Sequence, residues 1–143
     1  MGEALSNQMS GFIRQLGWPV DTLVPIPLGK KRLKERGYNQ VAMVAMPLSI
    51  QLGLEYFPSA LIRARETRSQ VGLSAHERQE NVRSAFHADR KNVNGRTILL
   101  MDDVSTTGAT LSSAAEALYA CGARDVFAVT IARALPHHSL KIV

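Results

Sequence analysis

Two adjacent carboxylates, Asp102 and Asp103, close the apolar run Ile98-Leu99-Leu100-Met101 and open a small, hydroxyl-rich segment, Val104-Ser105-Thr106-Thr107-Gly108-Ala109-Thr110. Beyond it, Leu111, Ala114, Ala115 and Leu118 recur at helical spacing. The pattern predicts a buried strand, an acidic tip, a tight loop and a helix N-terminus. Main-chain N–H groups at a helix start lack helical partners, and the helix dipole favours negative charge there. The hydroxyls of Ser105, Thr106, Thr107 and Thr110 add donors. Such a loop can hold a phosphate. The two acids would repel that phosphate at contact distance, so they suit sugar hydroxyls or a divalent metal. A phosphorylated sugar satisfies both halves.

Two familiar phosphate loops fit less well. The nucleoside-triphosphate loop needs a Lys after its last glycine, but Ala109 follows Gly108 here and no Lys is near. The dinucleotide fingerprint needs three glycines, and this loop has only Gly108. Helix capping by Ser or Thr accounts for one or two of the hydroxyls. It does not account for paired Asp residues directly after an apolar strand, where buried charge is costly without a partner.

Strands and helices alternate along the rest of the chain. Met1 to Leu16 is expected to be a helix with Leu5, Met9, Phe12, Ile13 and Leu16 on one side, broken at Gly17-Trp18-Pro19. Thr22 to Ile26 reads as a strand closed by prolines, and Leu33 to Leu52 as a helix with Val41, Val44, Ala45, Leu48 and Leu52 inward. Pro47 should kink that helix or mark a second start. Ala60 to Arg63 reads as a strand. Residues 66–83 read as a polar loop leading into a short helix around Ser74 to Asn81. A turn at residues 92–95, a central strand from Thr97 to Met101, a helix from Ala109 to Cys121 ended by Gly122, and a strand from Val126 to Ala132 complete the order. This alternation predicts an α/β fold with a parallel sheet covered by helices on both faces. Ligands of such sheets sit beyond the C-terminal strand ends, where Asp102 and Asp103 fall.

Length and composition bound the possibilities. A chain of 143 residues forms one core that buries roughly two-thirds of the unfolded surface, so a single domain over 1–143 is expected, with 1–20 as its N-terminal helical segment. The 45% apolar and 20% charged fractions are ordinary for a globular domain. No apolar run approaches the ~18 residues that span a bilayer, and residues 1–10 show no secretory signal, which points to the cytoplasm. Cys121 is the one cysteine; it excludes a disulfide framework and a cysteine-cluster zinc site, and reads as a small buried residue late in a helix. Histidines 76, 87, 137 and 138 show no metal-ligand spacing with acids. A net charge of +5 and a pI of about 9.8 allow nucleic-acid contact. The cations are spread over several segments, however, and only four Phe, one Trp and three Tyr are available for stacking, so a pocket for a polyanionic small molecule is the preferred reason for basicity.

Two further segments are chemically loaded. The first is Val24-Pro25-Ile26-Pro27-Leu28-Gly29-Lys30-Lys31-Arg32-Leu33-Lys34-Glu35-Arg36-Gly37-Tyr38-Asn39-Gln40; its cations follow a strand that should end on the same sheet edge as the acids. The second is Arg63-Ala64-Arg65-Glu66-Thr67-Arg68-Ser69-Gln70-Val71-Gly72-Leu73, followed by Glu77-Arg78, Asn81-Val82 and Phe86. The acidic loop resembles the sugar-diphosphate signature of the type I phosphoribosyltransferases. With the two other segments, in this order, the chain is similar to the ComF family, competence-associated phosphoribosyltransferase-like proteins of bacteria, from about Val24 to Arg133. Members of that family often carry an N-terminal cysteine-rich zinc module, which the one cysteine here does not supply.

The resemblance implies the three-layer type I phosphoribosyltransferase fold. It also implies binding of phosphoribosyl pyrophosphate (PRPP), with transfer of the phosphoribosyl group to a nitrogenous acceptor and release of pyrophosphate. By motif position, Asp102 and Asp103 would face the ribose, and Ser105, Thr106, Thr107, Gly108, Ala109 and Thr110 would hold the 5′-phosphate. Lys31, Arg32 and Arg36 would lie near the pyrophosphate. Residues 64–84 would form a flexible hood, with Thr67, Gln70 and Arg78 meeting donor or acceptor. Mg²⁺ would arrive with the substrate, with no direct protein ligand assigned. Family members acting on 6-oxopurines place a third acid where this chain has Thr106, which argues against a 6-oxopurine acceptor, or at least against that way of handling its proton. The expected partners are PRPP, an unidentified acceptor and a second copy in a homodimer, with nucleic acid met only indirectly. The alternative is a non-catalytic PRPP- or nucleotide-binding factor of DNA uptake.

Overall fold

The computed structural model describes residues 2–27, 34, 40–63, 85–102 and 109–131. Strands β1 (Thr22–Pro25), β2 (Glu55–Tyr56), β5 (Thr97–Asp102) and β6 (Asp125–Thr130) form one all-parallel sheet in the order β2-β1-β5-β6. Strands β3 (Leu61–Arg63) and β4 (Phe86–Ala88) pair antiparallel as a separate ribbon. Helices α1 (Gly2–Leu16), α2 (Gln40–Leu52), α3 (Arg90–Val93) and α4 (Ala109–Ala120) complete the described elements. The parallel sheet with helices on both faces is the architecture expected from the alternating pattern.

Strand β5 organises the core. All six of its residues are buried, because it is hydrogen-bonded to β1 on one side and β6 on the other while both faces are covered. Leu99 and Met101 meet Met9 and Ile13 of α1 and Val41, Val44 and Leu48 of α2. Ile98 and Leu100 meet Ala114 and Leu118 of α4, with Phe86 of the ribbon in the same cluster. A strand buried on both faces needs a continuous apolar run rather than alternation, which Ile98 to Met101 provides.

Pro47 does not divide its helix: α2 runs from Gln40 to Leu52 without a second start. The missing proline N–H removes one helical bond, but Val44, Ala45 and Leu48 anchor both sides of that turn in the core. The Ser49 hydroxyl also donates to the Met46 carbonyl at 2.7 Å. The earlier part of the expected helix, residues 33–39, lies outside the described residues except for helical Lys34, and the helix expected at Ser74 to Asn81 lies outside them entirely. Strands β2 and β4 and helix α3 were not expected. Each is two to four residues long, too short for a periodic signal. Helix α3 is set by Asp89, whose carboxylate accepts from the Lys91 N–H at 3.1 Å, a side-chain cap.

The end of α4 shows why Gly122 is required. The Ala123 N–H donates to the Leu118 carbonyl at 3.1 Å and the Gly122 N–H to that of Tyr119 at 3.0 Å, the paired closure of a Schellman motif. Gly122 has φ +93°, and a Cβ there would run into the Asn94 side chain. Cys121 is half-buried in this turn rather than inside the helix, with its thiol directed to the Ala88 carbonyl at 3.2 Å. Tyr119 clips the helix to β6: its hydroxyl donates to Asp125 at 2.8 Å and accepts from the Val126 N–H at 3.0 Å. The bond to the Asp125 carboxylate holds the phenol above its ordinary pKa.

Two outcomes follow for stability. Leu99→Ala should cost about 3 kcal/mol in urea unfolding, since it empties a fully buried site between the sheet and two helices; a loss below about 1 kcal/mol would contradict the packing described. Gly122→Ala should cost about 1–3 kcal/mol in the same measurement, through strain at positive φ and displacement of Asn94.

Candidate functional site

The C-terminal edge of a parallel sheet carries the chain ends where loops depart, and here the edge is built by β1, β5 and β6. Cα register pairs Pro25 with Met101, and Asp102 with Thr130. The Ile26 N–H donates to the Met101 carbonyl at 2.8 Å and the Ile131 N–H to that of Asp102 at 3.0 Å. The main chain of Asp102 is therefore held by the ladder up to its last residue. Asp102 is 7% exposed. Along β5 it follows Ile98 and Leu100 on alternate positions, so it lies on the α4 side of the sheet. Thr130 follows Val126 and Ala128 in the same way on β6 and lies beside it on that side.

Helix α4 begins at Ala109, and residues 103–108 join it to Asp102. The first-turn N–H groups of a 12-residue helix thus lie one short connection from a buried carboxylate. Thr110 is exposed in that first turn, while Ser113 is 3% exposed beneath it. The edge between sheet and helix is polar where the rest of that layer is apolar. The Thr130 hydroxyl is buried and has no hydrogen-bond partner among the described residues.

The β3–β4 ribbon reaches the same edge. Arg63 and Phe86 face each other in register at its open end, where residues 64–84 depart. The Arg63 guanidinium lies 4.8 Å from the centre of the Phe86 ring and donates to the Pro27 carbonyl at 3.3 Å. The feet of the segment expected to form the hood are thereby tied to the end of β1, where the basic segment starts. A cation on an aromatic face contributes about 0.5–2 kcal/mol depending on its desolvation.

Of the residues expected at the site, Asp102, Ala109 and Thr110 lie among the described residues, and the fold brings them to one edge. Asp103, Ser105, Thr106, Thr107, Gly108, Lys31, Arg32, Arg36, Thr67, Gln70 and Arg78 lie outside them. Two residues at the edge had no assigned place in the sequence reading. Thr130 is the hydroxyl that follows the apolar run Val126 to Val129 at the end of β6, and only its register with Asp102 gives it a neighbour of interest. Arg63 had been one of several arginines, and its place depends on a cross-strand partner, Phe86. Among the described residues no three His, Cys, Asp or Glu side chains gather as a metal-binding group. The hard carboxylate oxygens of Asp102 fit a Mg²⁺ that keeps most of its waters and is held largely by substrate phosphates.

Comparison with known proteins bears on the family and the fold. The model of the phosphoribosyl transferase domain matches residues 41–140. The DNA utilization protein YhgH of Escherichia coli K12 is 36% identical over 115 residues, which cover 80% of this chain and 50% of that protein. Competence protein F of Haemophilus influenzae is 33% identical over 116 residues, covering 80% and 51%. Competence protein ComFC of Bacillus subtilis is 39% identical over 114 residues, covering 78% and 44%. The chain spans about half the length of these relatives. Among solved structures, the glutamine PRPP amidotransferase of B. subtilis complexed with ADP and GMP superposes with a TM-score of 0.60 at 20% identity, over 89% of this chain and 26% of that one. At that identity the likeness speaks for the fold, which is the type I phosphoribosyltransferase fold. The chain belongs to the phosphoribosyl transferase domain family, and within it to the ComF group.

Proposed function

We propose that this chain binds PRPP at the C-terminal sheet edge and transfers its phosphoribosyl group to a nitrogenous acceptor, releasing pyrophosphate. The observation that carries this reading is the buried carboxylate of Asp102 at the end of β5, one short connection before the N-terminus of α4. A helix start suits a phosphate monoester and a carboxylate suits ribose hydroxyls, and these two ligand groups are joined in PRPP.

In this reading the chain supplies position and charge. Main-chain N–H groups of the loop and of Ala109 and Thr110, with the hydroxyls of Ser105, Thr106, Thr107 and Thr110, hold the 5′-phosphate. Asp102 and Asp103 orient the ribose hydroxyls and offset the positive charge that grows on the ring as its bond to pyrophosphate breaks. Lys31, Arg32 and Arg36 balance the departing pyrophosphate, and Thr67, Gln70 and Arg78 meet donor or acceptor from the 64–84 segment. Mg²⁺, arriving with the substrate, supplies Lewis-acid stabilisation of the leaving group. Exclusion of water protects a carbocation-like ring from hydrolysis. Among the described residues no helix is long and apolar enough to cross a membrane, and we place the protein in the cytoplasm, where PRPP is made.

A second reading keeps the binding and drops the transfer. The names of the relatives, competence and DNA utilization proteins, favour it: the chain would be a PRPP- or nucleotide-binding factor serving DNA uptake. Pyrophosphate release from PRPP with a panel of bases separates the two. Turnover with one base supports the transferase, and saturable binding with no turnover across the panel supports the factor. Hypoxanthine and guanine should not be acceptors, because Thr106 stands where the 6-oxopurine enzymes have an acid.

The transferase reading requires PRPP binding, whereas the factor reading requires PRPP or a nucleotide. Saturating PRPP with Mg²⁺ should stabilise the chain by about 2.7 kcal/mol at a hundredfold excess over Kd. Asp103→Asn should abolish calorimetrically detected PRPP binding while leaving the melting temperature within a few degrees of the parent. Unaltered binding by that variant would contradict the assigned role.

A further inference from the structure

Asp102 is 7% exposed at the end of β5, Thr130 is 5% exposed at the end of β6, and Ser113 is 3% exposed in α4. The layer below them is apolar: Ile98, Leu100, Ala114 and Leu118 are buried together, with Val126 and Ala128 packed against them. Asp102 and Ser113 each engage a partner. The Thr130 hydroxyl engages none among the described residues. A buried hydroxyl without a bond costs about 1–3 kcal/mol. The strand itself does not require it. Valine has nearly the same shape and the same preference for a strand, and Val126 and Val129 already serve in β6. Fold stability alone would favour Val at 130, so the hydroxyl calls for a partner in another state of the site.

Register selects that partner. Thr130 and Asp102 are Cα partners on adjacent parallel strands, which lie about 4.8 Å apart, and both are on the α4 side. The Ile131 N–H bond to the Asp102 carbonyl, at 3.0 Å, fixes the two main chains against each other. Rotation of the Thr130 side chain between staggered wells brings Oγ1 within reach of a carboxylate oxygen without moving the backbone. An ionised carboxylate has about four acceptor positions, room for a neighbouring donor and for ligand hydroxyls together. A hydrogen bond to it is roughly twice as strong as one to a neutral hydroxyl such as that of Ser113.

We infer that Thr130 is a positioning residue: when a phosphorylated pentose fills the site, the Thr130 hydroxyl donates to the Asp102 carboxylate and fixes which carboxylate oxygens face the sugar. The inference rests on the PRPP reading and adds to it a group that acts through Asp102, since the Thr130 oxygen is buried and out of a ligand's reach. In the empty site the bond is unmade and the hydroxyl lowers stability. In the filled site the bond is made, so its energy counts toward affinity. Loss of the hydroxyl should therefore move stability and affinity in opposite directions.

Thr130→Val and Thr130→Ser, each compared with the parent by urea unfolding without ligand and by calorimetric titration with PRPP and Mg²⁺, test it. Thr130→Val should be at least as stable as the parent and should bind PRPP roughly tenfold more weakly, the loss of one charge-assisted bond. Thr130→Ser keeps the hydroxyl and should bind within about threefold of the parent. A purely structural role for Thr130 would lower stability in the Val variant and leave affinity alone. A crystal structure of the parent with PRPP bound should place the Thr130 Oγ1 about 2.5–2.7 Å from an Asp102 carboxylate oxygen. A parent that does not bind PRPP overturns the PRPP reading and this inference with it. Where the parent binds, four results overturn this inference alone: equal binding by Thr130→Val, lower stability of Thr130→Val, no recovery in Thr130→Ser, or a Thr130 hydroxyl bonded elsewhere or unbonded in the complex.

Discussion

The structure depends on burying β5 completely and then ending it in a carboxylate. Ile98 to Met101 lie between two helical layers and two flanking strands, where any unpaired polar group would be costly. Asp102 is the first position at which the strand runs out of that cover, and it is still only 7% exposed. The same burial that stabilises the sheet therefore delivers one acid, in fixed register, to the edge where loops leave. Helix α4 follows closely and is held down by Ala114 and Leu118 against Ile98 and Leu100. Core packing thus sets the distance between the acid and the helix N-terminus.

The second determinant is at the other end of the sheet. Asp21 accepts from the Thr97 N–H, while the Asp21 N–H donates to the Thr97 carbonyl at 3.0 Å. The Gly95 N–H reaches the Gly122 carbonyl at 2.8 Å, and the Arg124 N–H reaches that of Arg96 at 2.8 Å. These bonds fix where β1, β5 and β6 begin. In a parallel sheet, fixing the beginnings also aligns the ends, and Pro25, Asp102 and Thr130 arrive together. The short edge strand β2 leaves little unpaired backbone on its outer side, a common protection against edge-to-edge pairing.

Much of this was legible in the sequence. The apolar run before the paired acids, and the helical spacing after them, gave β5, α4 and the sheet edge, because β5 is buried throughout and α4 is twelve residues long with Ala114 and Leu118 turned into the core. Strand β3 was legible at Ala60 to Arg63, but β2, β4 and α3 were not, because two to four residues cannot display a period and their existence depends on partners far along the chain. Pro47 marks no second start: its local cost is real, but Val44, Ala45 and Leu48 pack on both sides of it and hold one continuous helix. Thr130 and Arg63 are visible as residue types, yet their places at the edge arise from register with Asp102 and Phe86. Cys121 falls one residue beyond the end of the helix, because the Schellman closure at Gly122 puts it just outside.

The central claim is that the edge formed by Asp102, the start of α4 and Thr130 grips a phosphorylated pentose. The most direct measurement is an amide chemical-shift titration with ribose 5-phosphate, which needs neither turnover nor an acceptor. The account predicts saturable shifts concentrated at the N–H groups of Asp102, Ala109, Thr110 and Ile131, with α1 and the Gly95–Gly122 end of the sheet unmoved. Saturable shifts centred anywhere else, or none at millimolar ligand, would contradict it.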